Sequence, residues 1–172
     1  MFAFVGKWQY RITTQCKFGL ILSLVFLTGC STVNEKVGSA LNFDTDLKLQ
    51  VTASPSINPD ENDRASPVYL RLYQLSDPKA FENASFMDLY EKDKEVLADT
   101  FISKQELKRI TPDGTRVERF VLTKGTRYVA VFAEFFKYKE ARAKVVFPVT
   151  SSNVVRDSIK INISGNTMTL SK

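Results

Sequence analysis

Leu47, Leu49 and Val51 alternate with Lys48, Gln50 and Thr52, so this stretch is apolar on one side and polar on the other with a period of two. That is the pattern of a half-buried strand. Residues 68–75 repeat it, with Val68, Leu70 and Leu72 on one face and Tyr69, Arg71, Tyr73 and Leu75 on the other. Between them runs SPSINPDENDRASP, residues 54–67, which holds three prolines and, apart from Ile57, no large apolar residue. Loops longer than about 12 residues are mostly functional or disordered.

After residue 76 the period changes. Asp77-Pro78 predicts a helix start, Ser85 stands where it can cap FMDLYEKDKEVL, and Ser103 with Glu106 predicts a capping box before LKRI. Phe86, Leu89, Tyr90, Val96 and Leu97 recur at helical spacing. The expectation is a helical insertion at 77–110, broken into short pieces, between strands two and three. Strand signals return after the turn sequence Pro112-Asp113-Gly114, at 115–123, 127–137, 141–147, 158–164 and 167–171. Gly165-Asn166 predicts a tight hairpin that begins with glycine, and Pro148 predicts a strand end or an edge. A mainly β chain follows: an antiparallel β-sandwich of about seven strands over residues 46–172, with a small helical lobe.

RYVAVFAEFFK says where the lobe packs. Val129, Val131, Ala133 and Phe135 make one apolar face, and Tyr128, Ala130, Phe132 and Phe136 make the other nearly apolar, interrupted by Glu134. A sheet with a solvated outer face does not read this way, so the helices are expected to cover part of the second face. Glu134 then needs a partner, and Arg71 on strand two is the candidate; an exposed rim carboxylate is the alternative.

The amino-terminal region has a different texture. Lys7, Arg11 and Lys17 occur without any acidic residue, and residues 18–27 are then apolar except for Gly19 and Ser23. This run is about half of the roughly 20 residues a spanning helix needs, so a removed export signal at 1–29 is the stronger reading. Leu27-Thr28-Gly29-Cys30 resembles the bacterial lipobox, whose cysteine is acylated and becomes the first residue of the mature chain. The resemblance implies a lipid on Cys30 and no other cofactor. Residues 30–45 then form the lipidated cysteine and a flexible tether with a reach of roughly 20 Å. Because Ser31 rather than Asp follows the cysteine, similarity to other lipoproteins implies the periplasmic face of the outer membrane.

Cleavage at that point also removes Cys16, leaving no pair for an intramolecular disulfide. It takes away three cations, so the net charge of +5 falls to +2. The basic balance belongs mainly to the signal and gives no support to a nucleic-acid partner. Histidine is absent altogether, which removes Ser-His and Cys-His nucleophile pairs and imidazole metal sites. The acidic clusters at 60–63 and 91–95 lack the spacing of an EF-hand loop and read as solvated charge, and the basic run 137–144 reads as a turn. No catalytic or metal-binding constellation emerges, and the expectation is a protein that is not an enzyme.

In combination, NPDENDRASPVYLRLYQL at 58–75, DPKAFENASFMDLYEKDKEVLADTF at 77–101 and GTRYVAVFAEFF at 125–136 resemble the outer-membrane lipoprotein family of the bacterial type VI secretion system, TssJ. The resemblance implies a transthyretin-like sandwich with added helices, and a non-catalytic anchor that binds the periplasmic C-terminal region of the large inner-membrane subunit, TssM. It also implicates the loop between the first two strands in that contact. On this sequence the implied contact residues are Ile57, Asn58, Pro59, Asp60 and Arg64, with Ile57 as an apolar anchor in a polar rim. A second expectation, from a different class of function, is a periplasmic lipoprotein that binds a small ligand or glycan on an aromatic sheet face made of Tyr69, Tyr73, Phe132 and Phe136.

Overall fold

The computed structural model describes residues 46–149 and 158–171. The export segment, Cys30 and the tether lie outside these residues. Eight strands form two four-stranded sheets. One has the order β4-β1-β7-β8, built from Thr115–Val121, Asp46–Ala53, Ser158–Ser164 and Thr167–Ser171. The other has the order β3-β2-β5-β6, built from Phe101–Ile110, Val68–Leu75, Tyr128–Glu134 and Lys144–Pro148. All pairings are antiparallel except β1 with β7.

The two inner faces make the core. Leu47, Leu49 and Val51 of β1 and Ile161 and Ile163 of β7 face Leu70 and Leu72 of β2 and Val129, Val131 and Ala133 of β5, all essentially without exposure. The alternation read from the sequence is therefore the alternation that is buried. Gly165, with φ +53°, opens the two-residue turn between β7 and β8 as expected. Pro148 ends β6, an edge strand, where its missing N–H costs no ladder bond.

The helical lobe consists of α1, Lys79–Asn83, and α2, Phe86–Leu97, followed by a single 3-10 turn, Ala98–Thr100. Ser85 caps α2: its hydroxyl accepts from the Asp88 N–H while the Asp88 carboxylate accepts from the Ser85 N–H, at 3.1 Å each. The expected insertion at 77–110 is too long. Residues 101–110 are strand β3, paired along its length with β2, and Ser103 and Glu106 lie in that strand instead of in a capping box. Local capping chemistry there loses to the ladder bonds with the eight-residue strand β2.

The lobe packs where the second face of β5 predicted. Phe86 lies 4.9 Å from Phe132, and Tyr73 lies 5.7 Å from Phe81, ring centre to ring centre. Lys144 of β6 fastens α1 to the same sheet by donating to the carbonyls of Phe81, Glu82 and Ala84 at 3.2, 2.7 and 2.7 Å. Burial pushes its ammonium below the usual lysine range, against the opposing pull of Glu82. A five-residue helix cannot satisfy its own last carbonyls, and the lysine takes that role.

Candidate functional site

The long loop 54–67 is folded, and the bonds around Asp60 are local. Asp60 is the hub: one carboxylate oxygen accepts from the backbone N–H groups of Asn62 and Arg64 at 2.8 and 2.9 Å, and the other accepts from Arg64 Nε at 3.0 Å. The backbones of residues 60 and 64 are bonded as well, Asp60 N to the Arg64 carbonyl at 2.9 Å. The Arg64 backbone N–H is the first cause that holds the Asp60 carboxyl below its usual range. Asp63 adopts φ +57°, a left-handed conformation that Asp tolerates better than most residues, and its carboxylate meets Lys137 from beyond β5.

Below this hairpin the loop is bolted to the body. Asn58, at φ +47°, donates from Nδ2 to the Pro67 carbonyl at 2.9 Å, accepts at Oδ1 from the Phe136 N–H at 2.8 Å, and donates its backbone N–H to Gly165 O at 2.9 Å. One side chain thus joins the start of the loop, its end and the exit of β5. Ile57 is 0% exposed and Asn58 1%. The expectation that Ile57 is an exposed apolar anchor is corrected: it belongs to the core, and with Asn58 it holds the loop in place. The loop presents its tip, Glu61 to Ala65, to solvent, along with Pro55, Ser56 and Pro67 near its ends; Asp60 is clasped beneath the tip and Pro59 is half-buried.

Beside the loop, on the helical side of sheet two, lies a groove of about 460 Å³ between the tip of β5 and α2. Tyr69, Met87, Tyr90 and Phe136 line it and are 54%, 37%, 46% and 65% exposed. Asn58 and Pro67 form its loop-side wall, so loop and groove are one continuous surface. Phe86 stacks on Tyr138 at 4.7 Å and on Tyr90 at 6.0 Å, giving the groove a rigid floor. Met87, Tyr90 and Tyr138 were not singled out as site residues from the sequence. Their signal is an α2 stripe wider than a sheet needs and aromatics in the turn 135–138, where charge is the norm. The expected aromatic sheet face for a small ligand is corrected in turn, because Tyr73 and Phe132 are 0% exposed beneath the helices and cannot stack on a ligand.

A polar cluster under α2 shapes this surface. Arg71 Nε meets Glu134 Oε1 at 2.6 Å, so the cross-strand partner expected for Glu134 is the one it has. Both side chains are largely buried. Helix α2 is broken at Lys92, with φ −140° and ψ 38°. The Lys94 N–H that an unbroken helix would hand to the Tyr90 carbonyl goes instead to Asp93 Oδ1 at 2.7 Å, and Arg71 donates to the carbonyls of Tyr90 and Leu89 at 3.1 Å each. Asp93 Oδ2 accepts from Tyr73 Oη and Lys104 Nζ, at 2.8 Å each. Burial would raise the Asp93 carboxyl, but these two donors outweigh it and hold it below its usual range. Burial pushes the Tyr73 phenol well above its own. The guanidinium of Arg71 also lies 5.4 Å from the centre of the Tyr90 ring, which orients that ring at the groove's rim.

Among the described residues no group of three or more His, Cys, Asp or Glu side chains is placed to hold a metal ion, and no helix is long and apolar enough to cross a membrane.

The chain is similar to proteins of known class. The family model T6SS-SciN, described as type VI secretion lipoprotein, VasD, EvfM, TssJ, matches residues 45–166. The T6SS lipoprotein TssJ1 from Pseudomonas aeruginosa superposes with a TM-score of 0.68 at 22% identity, over 75% of this chain and 96% of that one. A chain in a structure described as the T6SS protein TssM C-terminal domain from EAEC gives a TM-score of 0.62 at 24% identity, over 74% of this chain and 98% of that one. A chain in a structure described as a Type VI membrane complex gives 0.65 at 26% identity, over 76% and 100%. No curated protein sequence matches the chain.

Proposed function

The chain belongs to the type VI secretion lipoprotein family, and from that premise we propose that it anchors the secretion complex at the outer membrane by binding the periplasmic C-terminal region of the large inner-membrane subunit, of TssM type. In this reading an acylated Cys30 holds the protein on the periplasmic face of the outer membrane. The loop tip and the adjoining aromatic groove form the binding surface, with Asp60 and Arg64 keeping the tip in shape and Pro59 at its shoulder.

One observation carries the reading. Strand β1 runs from Asp46, where the chain arrives from Cys30, to Ala53, where it enters the loop. At about 3.3 Å per residue, a strand of this length sets the two ends roughly 25 Å apart. The attachment end and the loop end are opposite poles of the sandwich, so a body tethered at one pole offers the other to a partner reaching across the periplasm. A prefolded tip and a stacked aromatic floor lose little conformational entropy on docking, and Tyr and Phe are frequent anchors of such contacts. Similarity to chains in structures described as the TssM C-terminal domain and a Type VI membrane complex supports a place in a membrane complex.

Replacing Glu61 and Asn62 by alanine, and separately Tyr69 and Phe136, leaves the core untouched. Both variants are expected to keep the parent unfolding curve and to lose at least tenfold in affinity for the partner's periplasmic domain, about 1.4 kcal/mol or more. Undiminished binding by both, measured by calorimetry, would move the interface elsewhere.

A further inference from the structure

We propose that the attachment pole of the sandwich rests on an anionic bilayer surface through a cationic patch on sheet one. The inference rests on the reading of Cys30 as the lipid anchor and goes beyond it, because a lipid tether alone would leave the body free to swing.

The patch begins with an unfavourable pair. Lys48 of β1 and Arg119 of β4 are direct cross-strand partners. Since Leu47 and Leu49 point into the core with no exposure, Lys48 and its partner point outward together. Like charges placed opposite each other destabilise a sheet, and nothing in the fold requires them there. Lys160 of β7 stands beside Gln50 on the same outer face, and the turn after β4 adds Lys124 and Arg127, both exposed. Among the described residues the ion pairs all fall elsewhere, and none of them engages these five cations. At the outward register positions of β1 and β4 the single acidic residue is Asp46. Asp77 and Asp99, the other carboxylates near this pole among the described residues, follow β2 and precede β3 on the helical side. Val117 and Val121, 48% and 55% exposed, rise between the cations on β4. Cations flanking small exposed apolar groups suit a headgroup layer, where charge meets phosphate and the methyls enter only shallowly.

Position selects the bilayer over an acidic protein. The chain enters at Asp46, which pairs with Val121 inside the patch, and only residues 31–45 separate it from Cys30. Fifteen residues reach at most about 50 Å even when fully extended, so attachment at Cys30 keeps this pole, and not the loop pole, on the membrane side of the body. Within a Debye length of about 8 Å at physiological salt, each cation favours contact with an anionic surface by roughly fivefold.

The test uses the lipidated protein, reconstituted on supported bilayers of phosphatidylethanolamine with phosphatidylglycerol or of phosphatidylcholine alone, with the height of the body read by neutron reflectometry. The expected result is a body seated on the headgroups of the anionic bilayer and lifted off on the neutral one or in high salt. Replacing Lys48, Arg119, Lys124 and Arg127 by glutamine should lift it too, reducing the seated population by roughly tenfold or more, with an unchanged unfolding curve. Equal heights on both bilayers, or a variant that stays seated, would overturn the inference and leave the anchor reading intact. A variant that keeps its height but loses a soluble acidic protein would overturn it in favour of that partner. If no protein is retained on either bilayer, the anchor reading fails and takes the inference with it.

Discussion

Arg71 illustrates how much one side chain can carry. It neutralises Glu134, lies 3.6 Å from Asp93 and feeds two carbonyls released by the break in α2. Replacing it by methionine keeps the stem and removes five donors. Glu134 would then be left without its only ion pair among the described residues, in a largely buried position. The expected loss is about 3 kcal/mol in urea unfolding, the range seen when one partner of a buried pair is removed. Adding Glu134→Gln should recover part of that loss, since the uncompensated charge is what costs most. A double variant no more stable than Arg71→Met would show that the lost carbonyl contacts dominate.

At the scale of an element, α2 is attached to the sheet by apolar contacts and by Asp93, the one charged residue on its buried side. The helical spacing that brings Phe86, Leu89 and Leu97 inward also brings position 93 inward, so a carboxylate at a core-facing position was the signal of a polar cluster beneath the helix. The folded Asp93 carboxyl titrates below its unfolded value of 3.8. Its contribution to stability is therefore complete above that pH and is lost as the pH falls through the lower folded value. Acidification below about pH 4 is expected to loosen α2 before the sandwich core, read as amide exchange in 86–97 rising ahead of that in β1 and β5. In Asp93→Asn this acid-dependent step should disappear. Its persistence in that variant would assign the step to other carboxylates.

For the whole molecule, polarity is the organising feature: the proposed attachment side at one end of β1, loop and groove at the other. The proposed anchor is tested by Cys30→Ser, which is expected to abolish acylation and release the protein from outer-membrane fractions. Unchanged flotation of that variant with membranes would count against the scheme from the first step. The lipid of the proposed anchor, at about 0.8 kcal/mol per buried CH₂, would hold far more firmly than surface charge. The cationic patch can therefore orient the body but cannot substitute for the lipid.

Most strands were legible in the sequence because alternation is a local property: 68–75, 158–164 and 167–171 carry their period within their own residues. The cap at Ser85, the hairpin at Gly165-Asn166 and the length and polarity of the 54–67 loop are equally local. Strand β3 was not legible, because FISKQELKRI contains helix-capping residues at the right spacing and becomes a strand only through its pairing with β2. The candidate site was half legible. The loop's place was evident, but which of its residues face inward depends on contacts between distant segments: Asn58 with Phe136 and Gly165, and Ile57 in a core assembled from both sheets. Sequence alone determined the periods and the turns. Tertiary structure decided which apolar residue is core and which is surface, because burial is a property of the neighbours a residue acquires, and those neighbours lie far away in the chain.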